Sequence, residues 1–341
     1  MMSEIWKCKG FANAHTHLDK GMLVPEVVYV DAPASIRGGW TREKKAEFTK
    51  MDIYDRAEKA LLQMIRYGTT YVRTHVDVDP VVGLKGIEAM LELQQAFAKQ
   101  IVIDITAFNQ EGFDRYPETE KLLQEALTMG RMGLGGHTLV DVDGKLHIRK
   151  MMALAEQFDV PWLEFHTDES GKPEDFLLPF LAEQALEQEC GDKIYAIHCN
   201  SLATVPDLEA AKTIELMANA KLHVTVCPTA VATRPITRTK ELLKAGIPVA
   251  LGSDNMGDLF NPLGGGNMLG YAQLLAYVQR FYEPEEQLAL LDMIRRGPAD
   301  PLSASSHHEL NISVVFETQE TRELLSHVPL PHIVQDKVCS A

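Results

Sequence analysis

Short apolar runs alternate along this chain with longer stretches in which apolar residues recur every three or four positions. The short runs read as strands at 11–17 (FANAHTH), 69–78, 101–108, 133–140, 162–168, 194–200, 222–228 and 248–255. Between them lie helix-spaced segments such as YDRAEKALLQMIRYG, GLKGIEAMLELQQAFAK and PEDFLLPFLAEQALEQE, and two more follow the eighth strand. Repeated strand–helix alternation predicts parallel strands joined by helical crossovers, and eight units predict a (β/α)8 barrel over residues 1–300. An open doubly wound sheet is the alternative. It calls for a glycine-rich phosphate turn directly after a strand, a pattern that GLGG (133–136) and PLGGGN (262–267) lack in that place. The segment between the first strand and the first helix, VYVDAPASIRGGWTREKK, reads as a long loop, either a lid over the barrel mouth or a plain surface excursion.

Composition narrows the partners. The 341 residues are 45% apolar and 24% charged, enough for a large core, and the net charge of −15 disfavours nucleic acid and anionic membranes. Five cysteines without a C-x-x-C pair read as reduced thiols. With no signal-peptide pattern and no apolar run near the roughly 18 residues of a membrane span, the expected location is the cytoplasm.

A barrel of this kind does its chemistry where strands end, which provides a filter for candidate residues. His15 and His17 end the first strand, one residue apart and therefore on one face. His166, followed by Asp168 and Glu169, ends the fifth, His198 the sixth, and Asp254 with Asn255 the eighth; Gln110 follows the third. His15, His17, His166 and Asp254 supply three imidazoles and one carboxylate, a set suited to Zn²⁺ or Fe²⁺ with room for a water. Such an ion lowers the pKa of its water from 15.7 to about 7. His198 and Glu169 remain as proton-handling groups. His75, in RTHVDVD, is expected to orient a ligand, and His137 is read as structural.

The stretches HTHLDKG, RTHVDVD, AFNQEGF, EFHTDES, IHCNSL and GSDNMGDLFNPLGGGNM together resemble the amidohydrolase superfamily, in the subgroup of cytosine deaminase and N-isopropylammelide hydrolase. The resemblance implies one metal on His15, His17, His166 and Asp254, with His198 and Asp254 orienting and deprotonating its water. It implies Glu169 as the proton shuttle to a ring nitrogen and Gln110 as the reader of the ring's amide edge. Two departures from cytosine deaminase stand out: Asn255 replaces a second acidic residue, and Phe260 takes the place of a tryptophan. Lys20 and the Asp-Asn pair look instead like the triazine enzyme, which implies that Lys20 meets a substrate carbonyl. The expected reaction is hydrolytic deamination of a small aminopyrimidine or aminotriazine. Release of an alkylamine from an N-substituted ring is the alternative, and a non-catalytic binding barrel is the third reading. Relatives carry a β-sandwich beside the barrel; here about ten residues precede the first strand and residues 301–341 supply one recognisable strand, 310–316, so that side domain is expected to be reduced or absent. Exposed edges left by its loss would favour a homo-oligomer.

Overall fold

The computed structural model describes residues 6–24, 31–229, 234–295, 310, 312–318 and 320–335. The strands are β1 (Trp6–Cys8), β2 (Phe11–Thr16), β3 (Thr69–Asp77), β4 (Val102–Asn109), β5 (Gly133–His137), β6 (Leu163–Thr167), β7 (Ile194–His198), β8 (His223–Val226), β9 (Val249–Leu251), β10 (Ile312–Phe316) and β11 (His332–Gln335). β2 to β9 form one sheet in strictly sequential order, every pair parallel. The ring closes at its mouth through a parallel bridge between Thr16 and Asp254, where the Asp254 N–H donates to the His15 carbonyl at 2.9 Å. This is the (β/α)8 barrel expected from the alternation. Closure needs glycine at 252: a Cβ there would lie 2.6 Å from the His15 Cβ.

The helices form for local reasons and pack for tertiary ones. In the helix Lys50–Arg66, Thr49 caps the start by accepting the Asp52 N–H at 3.1 Å, and Asp52 and Arg66 match the helix dipole at its two ends. Its inner face, Ile53, Ala57, Ala60, Leu61 and Met64, is fully buried against the sheet. Ile53, Leu61 and Met64 each contribute roughly 1.5–3 kcal/mol on burial, the alanines less.

The barrel interior is partly ionic. Arg73, fully buried, lies between the rings of Trp162 and Tyr195 at 4.4 and 4.5 Å and pairs with Glu164 at 3.3 Å. Glu164 also accepts from Thr106 at 2.6 Å, and Thr106 from the Trp162 indole at 2.9 Å. A buried carboxylate with this many donors survives where an unpaired one would not.

Two expectations change. The segment after the first barrel strand is not an open loop throughout: residues Ala34–Lys45 form a helix, α1, while 25–30 lie outside the described residues. Gly38 and Gly39 each cost about 1 kcal/mol of helix propensity and hid it. Tertiary anchors hold it instead: Arg37 donates to the Phe260 carbonyl at 2.9 Å, and Lys45 is buried among three carboxylates. Among the described residues the side domain is a three-stranded antiparallel sheet, β1–β10–β11, in which the tail contributes two strands rather than one. The fully exposed pattern of β11 carries no alternation to read, and the expected division near residue 300 lies outside the described residues.

Candidate metal centre

Strand ends build the site. His15 and His17 leave β2, His166 leaves β6, and Asp254 follows β9 at the closing bridge. Their ligand atoms all lie within 4.8 Å of one another, and all four residues are buried. The His15 and His17 Nε2 atoms stand 3.4 and 3.3 Å from the Asp254 Oδ1. The backbone turns sharply at three of the barrel ends: Asp168, His198 and Asp254 have φ of 55°, 71° and 57°. Non-glycine residues hold that conformation only where the surroundings demand it, as at ligand-aiming turns.

Burial keeps two of the three imidazoles, His17 and His166, neutral. It lowers His17 to about 3, helped by the charge of Lys20, and holds His166 well below the ordinary histidine range. Burial pushes the Asp254 carboxyl up, but the His15 and His17 rings beside its Oδ1 and the neighbouring His198 outweigh it and keep the group ionised. Both nitrogens of His15, both of His166 and the Nδ1 of His17 lack hydrogen-bond partners among the described residues. Leaving buried polar atoms unpaired costs about 1–3 kcal/mol each. Tetrahedral ligands of zinc at about 2.1 Å stand roughly 3.4 Å apart. A converging, unsatisfied N₃O set therefore fits a divalent cation. Phe108 stacks on His166 at 4.4 Å and fixes that ring; sequence reasoning missed it, since a phenylalanine in a strand reads only as core.

The other candidates line one cavity of about 400 Å³ above the centre, with Lys20, Gln110, His137, Glu169, His198, Asn255 and Phe260 in its wall. Glu169 follows a turn fixed by Asp168, whose carboxylate accepts the N–H groups of Leu177 and Leu178 at 2.7 and 3.2 Å. His198 lies with its ring 5.1 Å from that of His166, and its Nδ1 has no partner among the described residues. Lys20 is buried, donating to Asp77 at 2.7 Å and to the Gln110 Oε1 at 3.3 Å, so it reaches the cavity as part of an ion pair. Asn255 donates its amide nitrogen to Asp258 at 2.7 Å, which leaves Oδ1 as its acceptor. Gly38 of α1 also lines the cavity, so this helix covers part of its mouth.

One histidine behaves differently from expectation. His137 is not merely structural: its Nε2 stands 2.9 Å from the Glu169 carboxylate, in the cavity wall. Its position at a strand end was the signal. His75 packs its ring 4.3 Å from that of His15, and its Nε2 faces Glu164 at 3.3 Å, which places it between the ligand histidines and the ionic core. Arg234, which binds Glu169, was not singled out: a lone arginine in the polar loop after β8 carries no pattern.

A second group, His17, Asp19 and Asp77, also brings three potential ligand atoms within 4.8 Å. Asp77 is already paired with Lys20 and Lys45, at 2.7 and 3.0 Å, and a cation there would meet two ammonium groups.

The chain is 30% identical over 275 residues to N-isopropylammelide isopropyl amidohydrolase of Pseudomonas sp. strain ADP, covering 76% of this chain and 66% of that protein. It is 28% identical over 277 residues to a pterin deaminase of Rhizobium rhizogenes, covering 74% of this chain and 61% of that one. The matches thus span less than two thirds of the length of these relatives. In structure it is similar to 5-methylcytosine deaminase from Klebsiella pneumoniae, with a TM-score of 0.87 at 23% identity over 97% of this chain and 86% of the other. The model of the amidohydrolase family matches residues 41–309, most of the barrel, and with this the chain belongs to the amidohydrolase family.

Proposed function

We propose that this protein is a metal-dependent hydrolase that removes the amine from an amino-substituted nitrogen heterocycle such as an aminopyrimidine or aminotriazine. The observation that carries the reading is the convergence of three imidazoles and one carboxylate beneath a cavity that also holds Glu169 and His198. A divalent ion, zinc or iron, held by His15, His17, His166 and Asp254 would supply Lewis acidity and make hydroxide available near neutral pH.

The chain's own residues do the rest. Asp254 and His198 orient the attacking water and take its proton. Glu169 carries a proton to the ring nitrogen beside the carbon under attack and later to the departing amine. Gln110 and Lys20 bind the amide edge of the ring from the side of β4 and β2, the Oδ1 of Asn255 accepts from a ring N–H, and Phe260 walls the cavity. A volume of about 400 Å³ falls within the roughly 300–1,000 Å³ of small-ligand sites and holds a ring with a small alkyl group. That room, with the likeness to the isopropyl amidohydrolase, supports release of an alkylamine as the second reading.

The test is ammonia and alkylamine release from a panel of aminated and N-alkylated pyrimidines, triazines and pterins, using protein whose metal content is measured. Turnover of at least one ring, dependent on one bound divalent ion, is expected. Metal-loaded protein that leaves the whole panel intact would overturn the reading.

A further inference from the structure

Glu169 is gripped on both carboxylate oxygens. Arg234 donates from Nη1 to Oε1 at 2.6 Å and to the Glu169 backbone carbonyl at 2.9 Å. Asn200 donates to the same carbonyl at 3.1 Å. On the other side the His137 Nε2 stands 2.9 Å from Oε2. The Leu139 N–H donates to the His137 Nδ1 at 3.2 Å, so the neutral ring carries its proton on Nε2 and donates it to Glu169. The groups facing this carboxyl are thus His137 from β5, His198 from β7 and Arg234 from the loop after β8. Burial pushes its pKa up, but His198, the His137 hydrogen bond and the Arg234 charge outweigh burial and hold it well below the usual range.

A carboxylate so held is a poor proton carrier, because the best pKa for the task lies near the working pH. Glu169 has to shed a partner before it can act. His137 is pinned by the Leu139 backbone. Arg234 is the movable one: its side chain is one-fifth exposed, it lines the cavity, and of its five donors only those on Nη1 have partners among the described residues.

We propose that Arg234 changes partners when substrate binds: an oxo or carboxylate oxygen next to the ring nitrogen served by Glu169 takes the guanidinium, freeing Oε1 to receive a proton. The inference rests on the heterocycle reading above and narrows it, since it selects rings that carry an oxygen acceptor beside that nitrogen. Planar, multiply donating recognition of oxygen is what arginine does better than lysine. The proton balance is simple: the water's proton, taken by Asp254 and His198, passes to the freed Glu169 oxygen, Glu169 gives it to the ring nitrogen, and Arg234 returns when the product leaves.

The experiment compares wild type, Arg234→Met and Arg234→Lys, metal-loaded, on an aminopyrimidine with and without an oxo group beside the ring nitrogen. Wild type should favour the oxo ring by about 10⁴-fold in kcat/KM, the scale set by a site built to bind a missing polar group. Arg234→Met should erase most of that preference by losing the oxo ring, and Arg234→Lys should restore part of it. Separately, the Glu169 carboxyl is titrated in metal-free protein by infrared difference against Glu169→Gln, and Arg234→Met should move its midpoint upward. An unchanged substrate preference in Arg234→Met overturns the exchange of partners, and an unmoved midpoint overturns the clamp. If wild type turns over nothing, the functional reading has failed, and the titration still decides whether Arg234 holds Glu169.

Discussion

Two clusters of buried polar side chains meet at the mouth of this barrel, and they follow opposite rules. In one, Lys45 sits among Asp77, Asp79 and Glu111 at 3.0, 2.7 and 3.1 Å, Lys20 pairs with Asp77, and Arg42 with Glu111 at 2.7 Å. Its charges are matched, and they tie α1 to the ends of β3 and β4. In the other, three imidazoles and Asp254 converge with most of their nitrogens unpartnered. His17 belongs to the edge of both. The difference separates architecture from chemistry: a saturated cluster has nothing left to bind, whereas an unsatisfied one costs free energy until something fills it. Acidic residues near a histidine are therefore a weak sign of a metal, and the state of their hydrogen bonds is a stronger one.

The sharpest break of that contrast is His166→Ala. It should abolish both bound metal and turnover while leaving the metal-free protein folded, as read by elemental analysis and circular dichroism. Full metal content in this variant would place the ion elsewhere. Glu169→Gln should keep the metal and lower kcat by about 10²–10⁴-fold; near-normal turnover would remove Glu169 from the proton path. Lys45→Met should do the reverse of the histidine change. It leaves three buried carboxylates short of a cation, and a loss of about 3–5 kcal/mol in denaturant unfolding is expected, with metal stoichiometry retained by the folded fraction.

The smallest effect is one of pH. Burial lowers the Lys45 pKa, but Asp77, Asp79 and Glu111 outweigh it and raise the group above its ordinary value, so its stabilisation is full below about pH 10 and fades only above that. Asp77, despite burial, is held low by Lys20 and Lys45, so its contribution is present above about pH 4 and fades only in stronger acid. The stability gap between wild type and Lys45→Met should thus stay flat from about pH 5 to 9. Metal retention should fall across the acid part of that window, because protons compete for imidazole nitrogen. A gap that shrinks in step with metal loss would mean that the two clusters are one.

The eight barrel strands were legible because strands buried on both faces read as short runs rich in apolar residues, set between helix-spaced segments. Their ends in the structure fall within a few residues of the expected ones, and the polar residues gathered there are conspicuous because a core strand has no other use for them. The elements that were not legible lack such a signature. β1 has three residues and β11 is fully exposed, so each exists only by pairing with β10. α1 contains paired glycines and is held by ion pairs rather than by an apolar stripe.

What the amino-acid order determined alone is the repeating strand–helix unit and which histidines and carboxylates stand at strand ends, since both follow from local periodicity. Which of those groups meet was decided by closure of the ring, which sets Asp254 against His15 across 239 positions of chain. The same closure brought Arg234 and His137 onto Glu169 and gathered Lys45 with carboxylates from two other strands. Such pairings depend on distances between segments far apart in sequence, and only the packed barrel supplies those distances.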